Sequence, residues 1–270
     1  MEIESIGFLS ETMFQRFDGV VRDFGTYTEV RTPKNPTFWF GNYLLLPEPP
    51  ATTEIRHWIE VFDARFSDAP EVKHKCLQWP DNGQDTTAQR AEFERLGWVF
   101  DQASVLNATQ TQAVRAAPSG VDFRRIERDS DWAQVLEQQV ASREEGFAEA
   151  PYRAFKIQRL AFYKALQAAG HGAWFGAFKG EILVGDMGIF HRASISRFQE
   201  VSTHPDHRRQ GICAALVHFV SCETQVNYPG NRMVIIADAG EPAERIYISV
   251  GYQEVEQIQS AVLRPKGWDG

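Results

Sequence analysis

Apolar and polar positions follow two different periods along residues 121–270. Short strand-like runs, some of them almost entirely apolar, predict strands, whereas apolar residues three or four positions apart predict one face of a helix. The strands are expected at 121–126, 173–178, 182–190, 198–203, 233–238, 252–257 and 260–264, and the helices at 132–140, 152–169, 212–226 and 242–250. Their order, β-α-α-β-β-β-α-β-α-β-β, indicates a domain of the α/β (α+β) class.

Three local signals mark the ends of these elements. Ser130 is a residue type that caps helices, so the first helix is expected to begin there. Lys179 and Gly180 are expected to form the turn of a hairpin between two strands. Gly251 is expected to end the last helix, because glycine readily adopts the left-handed conformation of a helix cap.

The chain is expected to divide into two parts joined by a linker. Residues 108–120 contain few large apolar side chains and no clear period, which is typical of a linker. The predicted boundaries are therefore residues 1–107 for a degenerate or accessory domain and residues 121–270 for the domain that carries the chemistry.

A faint internal repeat links the two halves. Residues 92–98 and 246–252 each contain an aromatic residue, a glycine four positions later and a second aromatic residue directly after the glycine. Phe93 occupies the position of Tyr247 in this alignment. We therefore expect both halves to have the same fold.

The first half also has an aromatic cluster of its own. Residues 35–50 are aromatic, then strand-like, and end at prolines, after which a helix is expected. Trp39, Phe40 and Tyr43 are candidates for the walls of an acceptor cleft. At least one of them is expected in the core instead, because a strand points alternate side chains inward.

The composition excludes several classes of protein. Apolar residues make up 43% and charged residues 24% of the chain, as in ordinary globular proteins. No apolar run approaches the ~20 residues that cross a bilayer, and the acidic N-terminus lacks the pattern of a signal peptide. Three scattered cysteines do not suggest a disulfide framework. A cytoplasmic protein without membrane contact is therefore expected.

One basic stretch stands out in a chain of net charge −8, a balance that argues against nucleic-acid binding. Residues 204–213 (HPDHRRQGIC) place two arginines before a glycine and a predicted helix. The first N–H groups of a helix lack partners within the helix, and the dipole is positive at that end, so anions bind there. Gly211 lets an anion approach the backbone because it has no Cβ. Arg208 and Arg209 add charged donors, and we expect a diphosphate site.

Other interpretations of this stretch fit less well. A Walker loop needs Gly-Lys-Ser/Thr and a dinucleotide fingerprint needs three spaced glycines, neither of which is present. A solvated arginine turn before an ordinary helix remains the alternative. His204 and His207 have a spacing that could suit a metal, but no further ligand cluster accompanies them, so no metal site is expected.

The stretch resembles motif A of the GNAT (GCN5-related N-acetyltransferase) family, which reads Arg/Gln-x-x-Gly-x-Gly/Ala. Residues 208–213 match this motif except that Cys213 replaces the last small residue. The resemblance implies a mixed, mostly antiparallel central sheet flanked by helices, with two such units in tandem if the first half shares the fold. It also implies acetyl-CoA as cosubstrate, with its pyrophosphate held by Arg208, Arg209, Gln210, Gly211, Ile212, Cys213 and Ala214 and its pantetheine arm by Val201, Ser202 and Thr203.

A second motif supports the same resemblance. Residues 243–252 (AERIYISVGY) are similar to the later family pattern Ala-x-x-Leu-Tyr-x-x-x-Gly-Phe. In that family the tyrosine often protonates the departing CoA thiolate, which makes Tyr247 the candidate general acid. A core aromatic on an amphipathic helix is the alternative for this residue. Gly240 replaces an asparagine that is common in the family, so one cofactor contact is expected to be missing.

The amine must also lose a proton, and several carboxylates are candidates for acting on it. Glu200 lies on the strand beside the cofactor edge and is the candidate base, with a chain of water molecules as the alternative. Asp186 interrupts an apolar strand, so it is expected to line the acceptor cleft or to lie at a turn or edge. Glu144, Glu145 and Glu149 are candidates for attracting a cationic amine, or else they belong to solvated surface.

These observations predict an N-acetyltransferase that moves an acetyl group from acetyl-CoA to a primary amine. Direct attack is preferred over a covalent route through Cys213, because the pyrophosphate would crowd that side chain. A small molecule or a peptide would supply the amine, and the protein would be a monomer or homodimer. The alternatives are a non-catalytic acyl-CoA-binding regulatory module and a transferase that uses another acyl-CoA.

Overall fold

The structure is a computed structural model that describes residues 2–114, 118–143 and 146–265. The described residues form two compact units. The first unit comprises residues 2–105 together with residues from 256 onward, and the second unit comprises residues 106–255. This division differs from the predicted one at the C-terminal end, where the last strand of the chain contributes residues to both units.

The sequence folds into alternating helices and strands in each unit. In chain order, they are α1 (Ile6–Asp18), β1 (Val20–Asp23), β2 (Thr28–Arg31), β3 (Tyr43–Leu45), α2 (Ile55–Arg65), β4 (Lys75–Pro80), α3 (Thr87–Arg95), β5 (Val99–Ala108), β6 (Asp122–Arg125), α4 (Asp129–Ala141), α5 (Glu149–Ala168), β7 (Gly172–Lys179), β8 (Ile182–Arg192), β9 (Ile195–Thr203), α6 (Ile212–Asn227), β10 (Arg232–Asp238), α7 (Pro242–Ser249) and β11 (Gln253–Leu263).

The second unit contains a mixed sheet. Its strands lie in the order β6-β7-β8-β9-β10. The pairs from β6 to β9 are antiparallel, and β9 and β10 are parallel. α6 connects the parallel pair, as a crossover connection requires. The prediction of a mixed, mostly antiparallel sheet with helices is confirmed, as is the predicted order of elements from β6 to α7.

Apolar burial holds α6 against this sheet. Ile212, Leu216 and Val220 recur on one face of the helix and are buried together with Ile189 of β8 and Phe198 of β9. Burying one such side chain stabilises a fold by roughly 1.5–3 kcal/mol. The end of the β9–α6 loop that leads into α6 is therefore fixed by the core.

Two local predictions are wrong. Ser130 does not cap α4, because the helix already begins at Asp129 and its N-cap residue is Arg128, which makes no side-chain capping bond. Asp129 and Asp131 place negative charge in the first turn, which favours this start through the helix dipole. The two strands predicted at the C-terminus form the single strand β11, since Ile258 continues the pairing with β4 and no turn interrupts it.

The first unit repeats the pairing pattern that β7 to β10 show in the second. β1 pairs antiparallel with β2 and β2 antiparallel with β3, whereas β3 and β4 are parallel with α2 between them. β11 then pairs antiparallel with β4 from Ile258 to Leu263. This succession of pairings in both units is the architecture expected of a repeated fold.

The aromatic residues of the first unit mostly form its core. Phe93 is completely buried and packs against Trp79 and Trp98, with ring centroids 5.8 and 5.4 Å away. Tyr43 is also completely buried, whereas Phe40 is 38% exposed. Tyr43 therefore belongs to the core and does not form the wall of a cleft.

Candidate active site

The parallel strands β9 and β10 pair over only part of their length. β9 pairs with β8 from Ile195 to Thr203, whereas its pairing with β10 joins only residues 195–197 to residues 232–234. Beyond Arg197, the edge of β9 that faces β10 has no strand partner among the residues that the structure describes. Such an edge offers backbone groups to an extended ligand.

The hydroxyl of Ser202, on this part of β9, also lacks a hydrogen-bond partner among the described residues. The Oγ atom is buried. A buried hydroxyl without a partner is costly, and such groups commonly bind a ligand or an ordered water. Val201, Ser202 and Thr203, the predicted contacts of the pantetheine arm, all lie on this segment.

A β-bulge lies within the same segment. Asp186 is opposite Ser202 and Gly188 is opposite Gln199, so Met187 alone faces two residues of β9. One of these two is Glu200, whose φ of +55° lies in the left-handed region. A bulge of this kind redirects a side chain and often lies beside a site. Simple alternation along the strand therefore does not determine the direction of the Glu200 side chain.

Two cations on α5 contact the carboxylate of Glu200. The ammonium of Lys156 donates a hydrogen bond to it, and a guanidinium nitrogen of Arg159 lies 3.7 Å from it. Burial raises the pKa of the Glu200 carboxyl, but the two cations outweigh burial and hold the pKa below its usual range. Glu200 is therefore ionised at neutral pH, and its side chain is only 18% exposed.

Lys156 and Arg159 were not predicted from the sequence as site residues. Both are buried, and they share the inward face of α5 with Leu160 and Tyr163. The signal that would have revealed them is a pair of cations at positions where the helical period requires apolar residues. Buried charges need partners, and Glu200 supplies one.

Asp186 does not line an open cleft, because it is completely buried. Its carboxylate accepts hydrogen bonds from the side chains of Gln138, Gln139 at 2.9 Å and the indole of Trp174 at 3.1 Å. Burial raises its pKa to about 7, although Gln139 and Trp174 act in the opposite direction. Two of these three donors lie on α4, so the polar residue that interrupts this strand joins α4 to the sheet.

The predicted diphosphate loop runs from the end of β9 to an uncapped helix start. Gly211 is the N-cap of α6 with φ of +79°, and no side chain caps the first turn. A Cβ added at Gly211 would meet no atom within 4 Å, so the space before the helix is open. Arg208 and Arg209 are exposed, and neither pairs with a carboxylate in the described residues. These features suit a polyanion.

Cys213 and Tyr247 lie next to this loop and are both largely enclosed. Burial raises the pKa of the Cys213 thiol to about 12, which disfavours the thiolate that a nucleophile requires. Burial likewise raises the pKa of Tyr247 well above its ordinary value, while nearby Cys213 raises it further and Arg197 lowers it. Tyr247 is 5% exposed, packs in the core and remains protonated at physiological pH.

The acidic residues predicted to attract an amine divide into two groups. Glu144 and Glu145 lie outside the described residues. The carboxylate of Glu149 lies 3.2 Å from a guanidinium nitrogen of Arg153 and 3.7 Å from one of Arg143. The charge of Glu149 is therefore already compensated within the protein.

The described residues lack two features that mark other classes of protein. No helix there is both long enough and apolar enough to cross a bilayer. No group of three or more His, Cys, Asp or Glu side chains in that part of the chain is arranged to hold a metal ion.

Comparison with known proteins identifies what this arrangement resembles. Residues 137–261 match the family model described as an acetyltransferase (GNAT) domain. No curated protein sequence matches the chain.

Solved structures show the same fold over most of the chain. A conserved protein of unknown function from Staphylococcus epidermidis aligns with a TM-score of 0.73 and 13% identity over 95% of this chain and 99% of its own. A GCN5-related N-acetyltransferase from Kribbella flavida aligns with a TM-score of 0.65 and 15% identity over 98% of this chain and 97% of its own. A tandem GNAT protein from the clavulanic acid biosynthesis pathway aligns with a TM-score of 0.53 and 11% identity over 77% of this chain and 69% of its own. The predicted GNAT fold is therefore confirmed.

Proposed function

We propose that the chain is an N-acetyltransferase, because residues 137–261 match the family model of an acetyltransferase (GNAT) domain. It transfers an acetyl group from acetyl-CoA to a primary amine by direct attack. The acceptor is a small-molecule or peptide amine, and the reaction takes place in the cytoplasm. The domain that performs it is the one predicted from residues 121–270, and the protein is a monomer or homodimer.

One observation carries this proposal. The unpaired edge of β9 leads directly into the loop before α6, whose first turn has no side-chain cap. An extended arm with a polyanion at one end fits such a site, because the edge offers hydrogen bonds and the helix start offers a positive dipole. The unpartnered hydroxyl of Ser202 and the open space before Gly211 lie along this path.

The residues of the loop and the strand edge bind and orient the donor. Arg208, Arg209 and the first N–H groups of α6 hold the diphosphate, with Gln210 at the loop surface. The backbone of Val201 to Thr203 aligns the arm. Acetyl-CoA supplies a thioester carbonyl whose carbon forms the new bond to nitrogen as its bond to sulfur breaks. A backbone N–H near Val201 polarises the carbonyl oxygen, on which negative charge develops.

Two side chains transfer protons in the proposed reaction, Glu200 as the acceptor and Tyr247 as the donor. Glu200 is ionised and lies at the bulge, so it can accept the proton that the amine loses, directly or through water. Its lowered pKa makes it a weak base, which favours acceptors whose amine is already neutral. Tyr247 is protonated and lies near the first turn of α6, so its hydroxyl can donate a proton to the departing thiolate.

A calorimetric titration with acetyl-CoA tests the donor site. We expect one site per chain and a loss of affinity of at least about tenfold in an Arg208→Ala/Arg209→Ala variant, since each removed contact is charge-assisted. An Arg192→Ala/Arg245→Ala variant removes the same charge from other exposed positions and should bind normally. Absence of binding by the wild type would refute the donor assignment and the enzymatic function with it.

Turnover by the wild type separates an enzyme from a non-catalytic acyl-CoA-binding module, and the variant Tyr247→Phe tests the general acid. We expect turnover with a panel of primary amines to fall by about 10²-fold or more, as is typical for loss of a general acid. Affinity for acetyl-CoA should stay the same, because the hydroxyl acts only on the departing thiolate. Unchanged turnover would remove Tyr247 from the mechanism. Competition by other acyl-CoAs in the same assay tests the preference for acetyl.

A further inference from the structure

Lys179 reaches the diphosphate loop from a distant part of the sequence. It ends β7 at the tip of the hairpin with β8. Its Nζ donates a hydrogen bond to Oε1 of Gln210 at 2.9 Å and lies 3.4 Å from Nδ1 of His207. Both contacts belong to the segment between β9 and α6, so the hairpin tip and the loop meet at this ammonium group.

Contacts with α4 fix the position of the hairpin tip. The side chain of Gln134 donates to the carbonyl of Glu181 at 3.0 Å and accepts from the N–H of Leu183 at 2.9 Å. A guanidinium nitrogen of Arg128 lies 3.2 Å from the Glu181 carboxylate. The backbone around Lys179 is therefore held in place, and its side chain approaches the loop from a defined direction.

The charge of Lys179 has no carboxylate to neutralise it among the described residues. Its two polar contacts are an amide oxygen and an imidazole ring, and Glu181, the neighbouring acid, pairs with Arg128. Lysines elsewhere in this unit behave differently, since Lys156 pairs with Glu200 and Lys164 with Asp129. An unpaired, positioned ammonium next to two unpaired arginines concentrates positive charge in a chain of net charge −8.

We propose that Lys179 binds a phosphate group of the acyl-CoA nucleotide. This inference rests on the proposed function of the loop and extends the donor site beyond the loop itself to the β7–β8 hairpin. Lys179 donates one of its hydrogens to Gln210 and thereby orders that side chain, and it has further hydrogens to direct at the ligand. The phosphate is either the diphosphate or the 3′-phosphate, which share the same chemistry.

Titration of the full chain with CoA and with 3′-dephospho-CoA tests the proposal. Lys179→Met removes the charge and keeps the length of the side chain, and Lys179→Arg restores a cation. Lys164→Met removes the same charge from α5 and serves as the matched control. We expect CoA affinity to fall about tenfold in Lys179→Met, to recover largely in Lys179→Arg and to remain unchanged in Lys164→Met.

The two ligands distinguish the two phosphates. If Lys179 binds the 3′-phosphate, the variant and the wild type will have equal affinity for 3′-dephospho-CoA. If it binds the diphosphate, affinity for both ligands will fall by the same factor. Either result supports the proposal.

Equal affinity of Lys179→Met and the wild type for CoA would overturn the role of Lys179 and leave the loop assignment intact. A wild type that does not bind CoA would instead refute the proposed function and this inference together. Thermal unfolding of each variant checks the fold. If Lys179→Met were unfolded, Lys179→Gln, which keeps a polar end, would replace it in the same titration.

Discussion

Glu200 retains its charge because two side chains from another element surround it. Without Lys156 and Arg159, a carboxylate that is 18% exposed would bind its proton more tightly, since burial alone raises its pKa. The pKa of such a base depends on its charged neighbours as well as on its own burial. The pair on α5 thus belongs to the chemistry of the bulge, although it comes from about 40 residues earlier in the chain.

We expect Lys156→Met to raise the pKa of Glu200 measurably, because one of its two compensating cations is lost while the burial remains. A ¹³C NMR titration of labelled glutamate carboxylates, assigned with Glu200→Gln, measures this change. Lys164→Met on the same helix should leave the signal unaffected, since Lys164 pairs with Asp129 instead. A Glu200 signal that titrates identically in Lys156→Met and the wild type would contradict the assigned pairing.

The pKa of Asp186 is raised, in contrast to that of Glu200, and this makes the stability of the protein depend on pH. Its folded-state pKa is about 7, above the ~3.9 of an unfolded chain. The folded state therefore binds the extra proton, so stability decreases as the pH rises from about 4 to 7, by roughly 1.4 kcal/mol for each pH unit.

The variant Asp186→Asn cannot titrate and should lack this contribution. We expect the free energy of unfolding of the wild type, relative to the variant, to be lower at pH 8 than at pH 5. Urea unfolding followed by tryptophan fluorescence measures it, since Trp174 contacts Asp186 directly. A difference that is the same at both pH values would show that Asp186 is charged throughout this range.

The residues of the loop could be predicted because they are contiguous in the sequence. Arg208, Arg209 and Gly211 form one short motif at a predicted helix start, and the structure places them at the uncapped start of α6. The partners of Glu200 and the burial of Asp186 depend on how α4 and α5 pack on the sheet. No local pattern encodes that packing, so the cleft-lining role expected for Asp186 was wrong.

At the scale of elements, β9 does two things that a regular strand does not. It contains the bulge at Glu200, and it separates from β10 after residue 197. Both features depend on which residues of the neighbouring strands lie opposite, so the apolar pattern that predicted the strand could not reveal them. Together they open one edge of β9 just before the loop that leads to α6.

The start of α6 allows a sharp test with a matched glycine. Gly211 and Gly170 have φ values of +79° and +78°, and an added Cβ would meet no atom within 4 Å at either position. Replacing either by alanine should therefore cost about 1–2 kcal/mol of stability through the left-handed backbone alone. Only Gly211→Ala should also weaken acetyl-CoA binding, because its Cβ would occupy the space before the helix.

Thermal unfolding and calorimetric titration of both variants measure these two effects separately. Equal affinities for acetyl-CoA in Gly211→Ala and Gly170→Ala would mean that no ligand atom approaches the backbone at the start of α6. A loss of affinity in both variants would attribute the effect to reduced stability.

At the scale of the whole molecule, the two units share an order of strand pairing but not a loop. The connection from β3 to α2 in the first unit, residues 46–54, contains Glu48, Glu54 and three prolines but no arginine. Carboxylates at that position repel a diphosphate. We therefore expect acetyl-CoA to bind with a stoichiometry of one per chain, and a titration that finds two would show that the first unit has a donor site of its own.

The repeat of the fold was visible in the sequence, but the return of the C-terminal residues to the first unit was not. Aromatic and glycine positions shared by residues 92–98 and 246–252 indicated two similar units. The assignment of residues from 256 onward to the first unit depends on the pairing of β11 with β4, which joins residues about 180 positions apart. Pairing at such a distance leaves no local trace in the sequence.

The pairing of β11 with β4 has a consequence for folding during synthesis on the ribosome. Residues 2–105 emerge first, yet the strand that covers the edge of β4 is translated about 150 residues later, a delay on the order of 10 s at ordinary rates of synthesis. During that interval, the nascent first unit presents an open strand edge, which is a template for wrong pairing. We therefore expect chaperones to hold the nascent chain until its final strand leaves the exit tunnel and closes that edge.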